Sequence, residues 1–117
     1  MVRKSEDIKP RIVYNARGGE NEVIYYDWIK PEEIAGYGRM LSKLVIPPGS
    51  SIGYHEHDGE IGAYYVLSGE ATVNDNGNEV VLHPGDMTRC GAGCAHSTKN
   101  NGTEDLVLMA LIMEERI

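Results

Sequence analysis

Phenylalanine is absent from this 117-residue sequence, and a single tryptophan stands against seven tyrosines. Nearly every aromatic ring therefore carries a polar tip, which suits half-buried positions at a pocket wall or an interface as well as in a core. No apolar run approaches the roughly 20 residues of a bilayer-spanning helix. The opening MVRKSEDIKP also lacks the apolar stretch of a secretory signal. These absences predict a soluble, cytoplasmic protein without a membrane partner. Cysteine is scarce: Cys90 and Cys94 are the only two. A reducing compartment and the short loop between them lead us to expect free thiols. Positive charge is in deficit, with eleven Lys plus Arg against eighteen Asp plus Glu and a formal net charge of −7. No basic stripe interleaves with aromatics, so the composition argues against nucleic acid as a partner.

Helical pattern is scarce too. Lys30-Pro31-Glu32-Glu33-Ile34 is the one stretch that reads as a helical turn, with Pro at its start. What the chain has instead is β-branched and aromatic segments punctuated by turns. RIVY (11–14), EVIYYDWI (22–29) and RMLSKLVI (39–46) come first. Strands are then expected over 52–57 and 61–67, followed by EATVND and NEVVLH around Asn76-Gly77. That Asn-Gly pair tolerates the positive backbone angles of a tight hairpin, so its flanking strands should be antiparallel neighbours. Pro84-Gly85-Asp86 leads into MTRC, a strand follows near 96–99, and the apolar stretch 106–113 suits a core position. About ten short strands with almost no helix predict an all-β fold, a closed antiparallel sandwich or barrel. No repeat, linker or low-complexity tract asks for a second domain, so 1–117 reads as one unit.

The chemistry concentrates between Gly49 and Gly69, in GSSIGYHEHDGEIGAYYVLSG. The segment is too rich in glycine for a helix. On a strand, His55 and His57 point the same way and form a two-nitrogen clamp. Imidazole suits the borderline transition metals, so the clamp points to a metal ion. The alternative is a pair of ordinary strand histidines.

The spacing around this clamp resembles the two sequence motifs of the cupin family. Gly49, His55, His57 and Gly69 fall where the first motif has them. Gly85, Gly93, His96 and Asn100 fall where the second does, with Gly91 in place of its usual Pro. The motifs and the segment between them cover about half the chain. The resemblance implies a double-stranded β-helix, or jelly roll, over 36–117. A divalent transition metal (Fe, Mn, Zn, Ni or Cu) would sit on His55, His57 and His96. Residues 1–35 would supply N-terminal strands used to pair two copies, and RIVY and EVIYYDWI suit that role in a homodimer. His83, beside the PGD turn, is expected as a solvated strand end.

One position departs from the pattern. The family's ligand Glu falls at Gly62, which has no side chain to offer. Glu60 lies two residues earlier and could reach the ion if the strand is extended there; equally, the Asp58-Gly59 turn could leave it facing water. A three-histidine site without a carboxylate keeps the ion more positive and favours water or an anionic ligand. Tyr64 shares the parity of Gly62 and is a candidate pocket wall, with Tyr65 on the other face. Arg89 is a candidate for pairing a substrate carboxylate or phosphate, or an outward-facing arginine. Cys94 is either a neighbour of the site or a small buried hydrophobe. Two function classes follow. In one, the protein is a metal-dependent enzyme of dioxygenase, isomerase or decarboxylase type acting on a small organic molecule. In the other, it is a non-catalytic module that binds or senses a small ligand.

Overall fold

The computed structural model describes residues 1–116. Among them lie ten strands: β1 (Arg11–Tyr14), β2 (Glu22–Ile29), β3 (Gly38–Ile46), β4 (Ser51–Glu56), β5 (Glu60–Ser68), β6 (Ala71–Asp75), β7 (Asn78–Leu82), β8 (Met87–Cys90), β9 (Ala95–Lys99) and β10 (Leu106–Glu114). The expected helical turn is present as a 3-10 turn over Pro31–Ile34. Two more 3-10 turns cover Ser5–Asp7 and Ala16–Gly18. No helix among the described residues is long and apolar enough to cross a membrane.

The strands build two antiparallel sheets. One has six strands in the order β1-β2-β3-β10-β5-β8, the other four in the order β4-β9-β6-β7. This is an antiparallel all-β architecture of the kind the strand pattern predicted, and the jelly roll that the cupin resemblance implied. Alternation decides which residues meet between the sheets: along β10, Leu106, Leu108, Ala110 and Ile112 are buried while their neighbours are not. Leu108 sits opposite Leu44 of β3 and Val66 of β5, and Ala110 opposite Ser42 and Tyr64. Val23, Ile46, Ile52, Ala71 and Val73 close the same apolar core. The Asn76-Gly77 hairpin joins β6 to β7, with both turn residues at positive φ (53° and 97°).

Asn100, the last residue of the second motif, has a structural task. Its buried side chain donates to the carbonyls of Ile46 (2.8 Å) and Glu104 (2.7 Å) and accepts from the Gly102 amide (2.9 Å). It staples the end of β3 to the loop that enters β10. The expectation of free thiols is overturned: Cys90 and Cys94 are joined as a disulfide. The Gly91–Gly93 turn folds the chain back so that their α-carbons are 5.4 Å apart, a span a disulfide bridges readily.

Candidate metal centre

The pairing of β4 with β9 assembles the site. His55 and His96 are direct register partners, so the H-x-H clamp of one strand meets the third histidine of the next. A bulge makes this possible. Between the Ile52–Thr98 and His55–His96 pairs, β4 advances three residues while β9 advances two. The extra residue turns His55 onto the inner face that Ile52 already occupies, which strict alternation would forbid. The bulge holds Gly53 against the 16–18 turn. A side chain there would strike that turn's backbone, with a Cβ only 2.7 Å from the Gly19 amide nitrogen.

The three rings present their Nε2 atoms to one point. Nε2 of His96 lies 3.1 Å from that of His57 and 3.2 Å from that of His55. The ring planes cross at 72°, 65° and 71°, a propeller rather than a stack. Nδ1 of His55 donates to the Gly53 carbonyl at 2.7 Å, so its Nε2 carries a lone pair. His57 and His96 are buried.

Hydrogen bonding among neutral rings leaves this arrangement incomplete. Nε2 of His96 makes both contacts. As a donor it has one hydrogen to give; as an acceptor from His57 it faces the lone pair of His55. A cation at the centre satisfies all three acceptors at once, so the residues fit a metal ion. With metal–nitrogen bonds of about 2.1 Å, neighbouring nitrogens would be about 3.0 Å apart at right angles and about 3.4 Å apart at a tetrahedral angle. The observed spacings fall between these. Burial also holds all three imidazoles below their ordinary pKa, His96 furthest, to about 4, with its two histidine neighbours adding to the effect. The rings are therefore neutral at pH 7, the state that ligates.

The other expected residues are placed as follows. Glu60 opens β5, and its carboxylate accepts from Arg39 at 2.6 and 3.1 Å. Its Oε1 lies 3.7 Å from Nδ1 of His57, on the side of the ring away from the centre, and that nitrogen has no other partner. Tyr64 is buried and stacks on His96, with ring centroids 5.4 Å apart and an interplanar angle of 7°. Burial pushes its hydroxyl well above the usual phenol range. Arg89 pairs with Ala63, the residue between the inward Gly62 and Tyr64, and is exposed. Tyr65 is exposed on the outer face, and His83 lies at the surface beside Glu70.

In front of the histidines is a cavity of about 190 Å³. Besides His55, His57 and Tyr64, its wall includes three arginines, Arg11, Arg17 and Arg39. Alternation along RIVY could have placed Arg11 beside the inward Val13. The other two had no such signal. Arg17 comes from a 3-10 turn, and Arg39 is the extra residue where β3 slips from the Ile112–Met40 to the Met113–Gly38 pair. Arg11 is committed to Asp27 at 3.0 and 3.1 Å, which holds that carboxyl below its usual range, helped by Ser42.

Comparison with known proteins agrees with this architecture. The profile of the cupin domain family matches residues 42–112. An oxalate-binding protein of Thermotoga maritima is 38% identical over 113 residues, covering 97% of this chain and 93% of the relative. The crystal structure of a predicted oxalate decarboxylase from the same organism superimposes with a TM-score of 0.93 at 37% identity, covering 98% of this chain and all of the other. KdgF from a Halomonas species shares the fold at 16% identity and a TM-score of 0.75, covering 97% of this chain and 92% of that one. The residues that fold the clamp against His96, and the profile that spans them, lead to one conclusion: this chain belongs to the cupin family.

Proposed function

We propose that this cupin holds a divalent transition metal on the Nε2 atoms of His55, His57 and His96 and binds a small carboxylate anion in the cavity before it. The observation that carries this reading is the convergence of three imidazole acceptors that their own hydrogens cannot satisfy. A bound ion would supply a Lewis-acid centre with positions left open by only three protein ligands. The chain itself supplies neutral rings, a wall bearing three guanidiniums, and Tyr64 packed on His96. The nearly full-length relative that binds oxalate names the ligand class: a two-carbon dianion small enough for the cavity.

A second reading, turnover of that anion as a decarboxylase, rests on Tyr64, which lines the cavity with its ring stacked on His96 and its hydroxyl held protonated by burial, and on the likeness to a predicted oxalate decarboxylase. Binding is favoured because the wall includes no carboxylate among the described residues, and Glu60 is tied to Arg39. The test starts with metal analysis after growth or dialysis with Fe, Mn, Zn, Ni and Cu. We expect about one ion per chain, loss of that ion in His57→Ala, and oxalate binding by calorimetry in the loaded protein. Wild type without stoichiometric metal under every supplement sinks the metal reading. Release of carbon dioxide from oxalate would move the assignment from binding to catalysis.

A further inference from the structure

Two of the three cavity arginines are already neutralised. Arg11 forks onto Asp27 and lies over the Tyr25 ring at 4.4 Å; Arg39 forks onto Glu60. Arg17 has no carboxylate partner among the described residues. Its charge nevertheless reaches the site: it adds a little to the lowering that burial imposes on His55 and His57, and it offsets part of the rise that burial gives Tyr25 and Tyr64. The cavity thus carries one uncompensated guanidinium above neutral imidazoles.

The backbone at Arg17 is held in an uncommon state. Its φ of 53° and ψ of 32° lie in the left-handed region, where a residue with a Cβ is disfavoured. Packing keeps it there: the Arg17 carbonyl closes on Gly53, and the Gly53 carbonyl takes the Nδ1 hydrogen of His55. Gly53 therefore aims His55 at the centre through its own carbonyl and holds the backbone of an arginine that lines the same cavity. An outlier held by a ligand-bearing strand points to function rather than to a loop accident.

We propose that Arg17 is the ligand-recognising residue of this site. Its planar fork takes the second carboxylate of a two-carbon dianion whose first carboxylate sits before the three histidines. This rests on the metal and carboxylate reading above and adds a specificity to it. A dianion is selected over a monoanion because only the dianion engages both charges. The cavity, at about 190 Å³, is below the size of ordinary drug-binding pockets and suits a ligand of few atoms. A bidentate charged pair also demands arginine rather than any cation.

The test is calorimetric titration of oxalate and of formate into wild type, Arg17→Lys, Arg17→Gln and Arg17→Gly, with metal content measured on each sample. Arg17→Gly is included because glycine accepts the left-handed backbone, so a loss in that variant cannot come from misfolding of the turn. We expect unchanged metal content, oxalate affinity reduced about ten- to hundredfold in the Gln and Gly variants, a smaller loss in Lys, and little change for formate. Metal-loaded Arg17→Gln that binds oxalate as wild type does overturns the proposal and leaves the metal reading standing. If wild type takes up no metal, the metal reading fails separately, and Arg17 is judged on metal-free protein. Oxalate binding there that depends on Arg17 supports the proposal. Equal binding by the variants, or none by wild type in either state, overturns it.

Discussion

A Cβ added at Gly62 would lie 2.8 Å from Nε2 of His57, so the glycine is what lets that ring reach the centre. The space into which a side chain at position 62, where the family pattern has its ligand Glu, would start is filled here by the His57 ring. Glu60 stands behind the same ring, beside Nδ1 and clamped by Arg39. A carboxylate in that place orients a ligating histidine and raises its basicity, an effect worth about 10- to 100-fold in metal affinity. We therefore expect Glu60→Ala to keep stoichiometric metal at weakened affinity while His57→Ala loses it, as read by competition with a chelating dye. Equal loss in both would make Glu60 a ligand. Protons compete at the same atoms. In metal-free protein the three imidazoles, half-buried at His55 and buried at His57 and His96, resist protonation, His96 down to about 4, whereas the unfolded chain takes up protons near pH 6.5. Because the unfolded state binds more protons in that interval, stability falls as pH drops from about 6.5 towards 4. The urea midpoint of chelated protein should be lower at pH 5 than at pH 7.5, and a flat profile would contradict the burial of these rings.

Elements explain what could be read from sequence and what could not. RIVY, EVIYYDWI and MTRC became strands over those same residues, because alternation and turn residues are local properties. The three histidines could be grouped because H-x-H fixes a face and the motif spacing brings in His96. Bulges are different: each depends on the partner strand's count of residues, which no single segment reveals. Arg39 enters the cavity through one bulge, and His55 shares a face with Ile52 through another. The disulfide was missed for a similar reason. Separation along the chain argued against it, and only the return of the turn after β8 brings the sulfurs together. The β4 bulge is also the easiest to break. A methyl at Gly53 meets backbone of the 16–18 turn rather than a movable side chain. Gly53→Ala should lower the thermal midpoint by several degrees, since a backbone clash typically costs about 1–3 kcal/mol. It should also weaken metal binding, because the Gly53 carbonyl orients His55. A variant with wild-type metal affinity would show that the bulge does not aim the ring.

At the scale of the whole molecule, β1 is the outer edge of the six-stranded sheet, and its two faces have separate tasks. Arg11 and Val13 line the cavity, while Ile12 and Tyr14 are 49% and 68% exposed. Ile12 is paired with Ile24 of β2 on that outer side, so the surface beside the open edge is apolar. An uncovered edge of this kind is a template for another strand, and no charged residue lies between Ile12 and Tyr14 to discourage pairing. Four residues of added strand bury too little for a stable complex, for which about 1,200–2,000 Å² in total is usual, so the outer face of β1 and β2 would have to join the contact. We accordingly expect a homodimer formed through the N-terminal strands, a role the cupin resemblance also implies. Light scattering should give the mass of two chains, and Ile12→Lys with Tyr14→Lys should give one, with metal content unchanged because neither side chain lines the cavity. A wild-type monomer at micromolar concentration refutes this. A monomeric double variant that also loses oxalate affinity would show that pairing the edge steadies Arg11 and the neighbouring 16–18 turn, tying the assembly to the site.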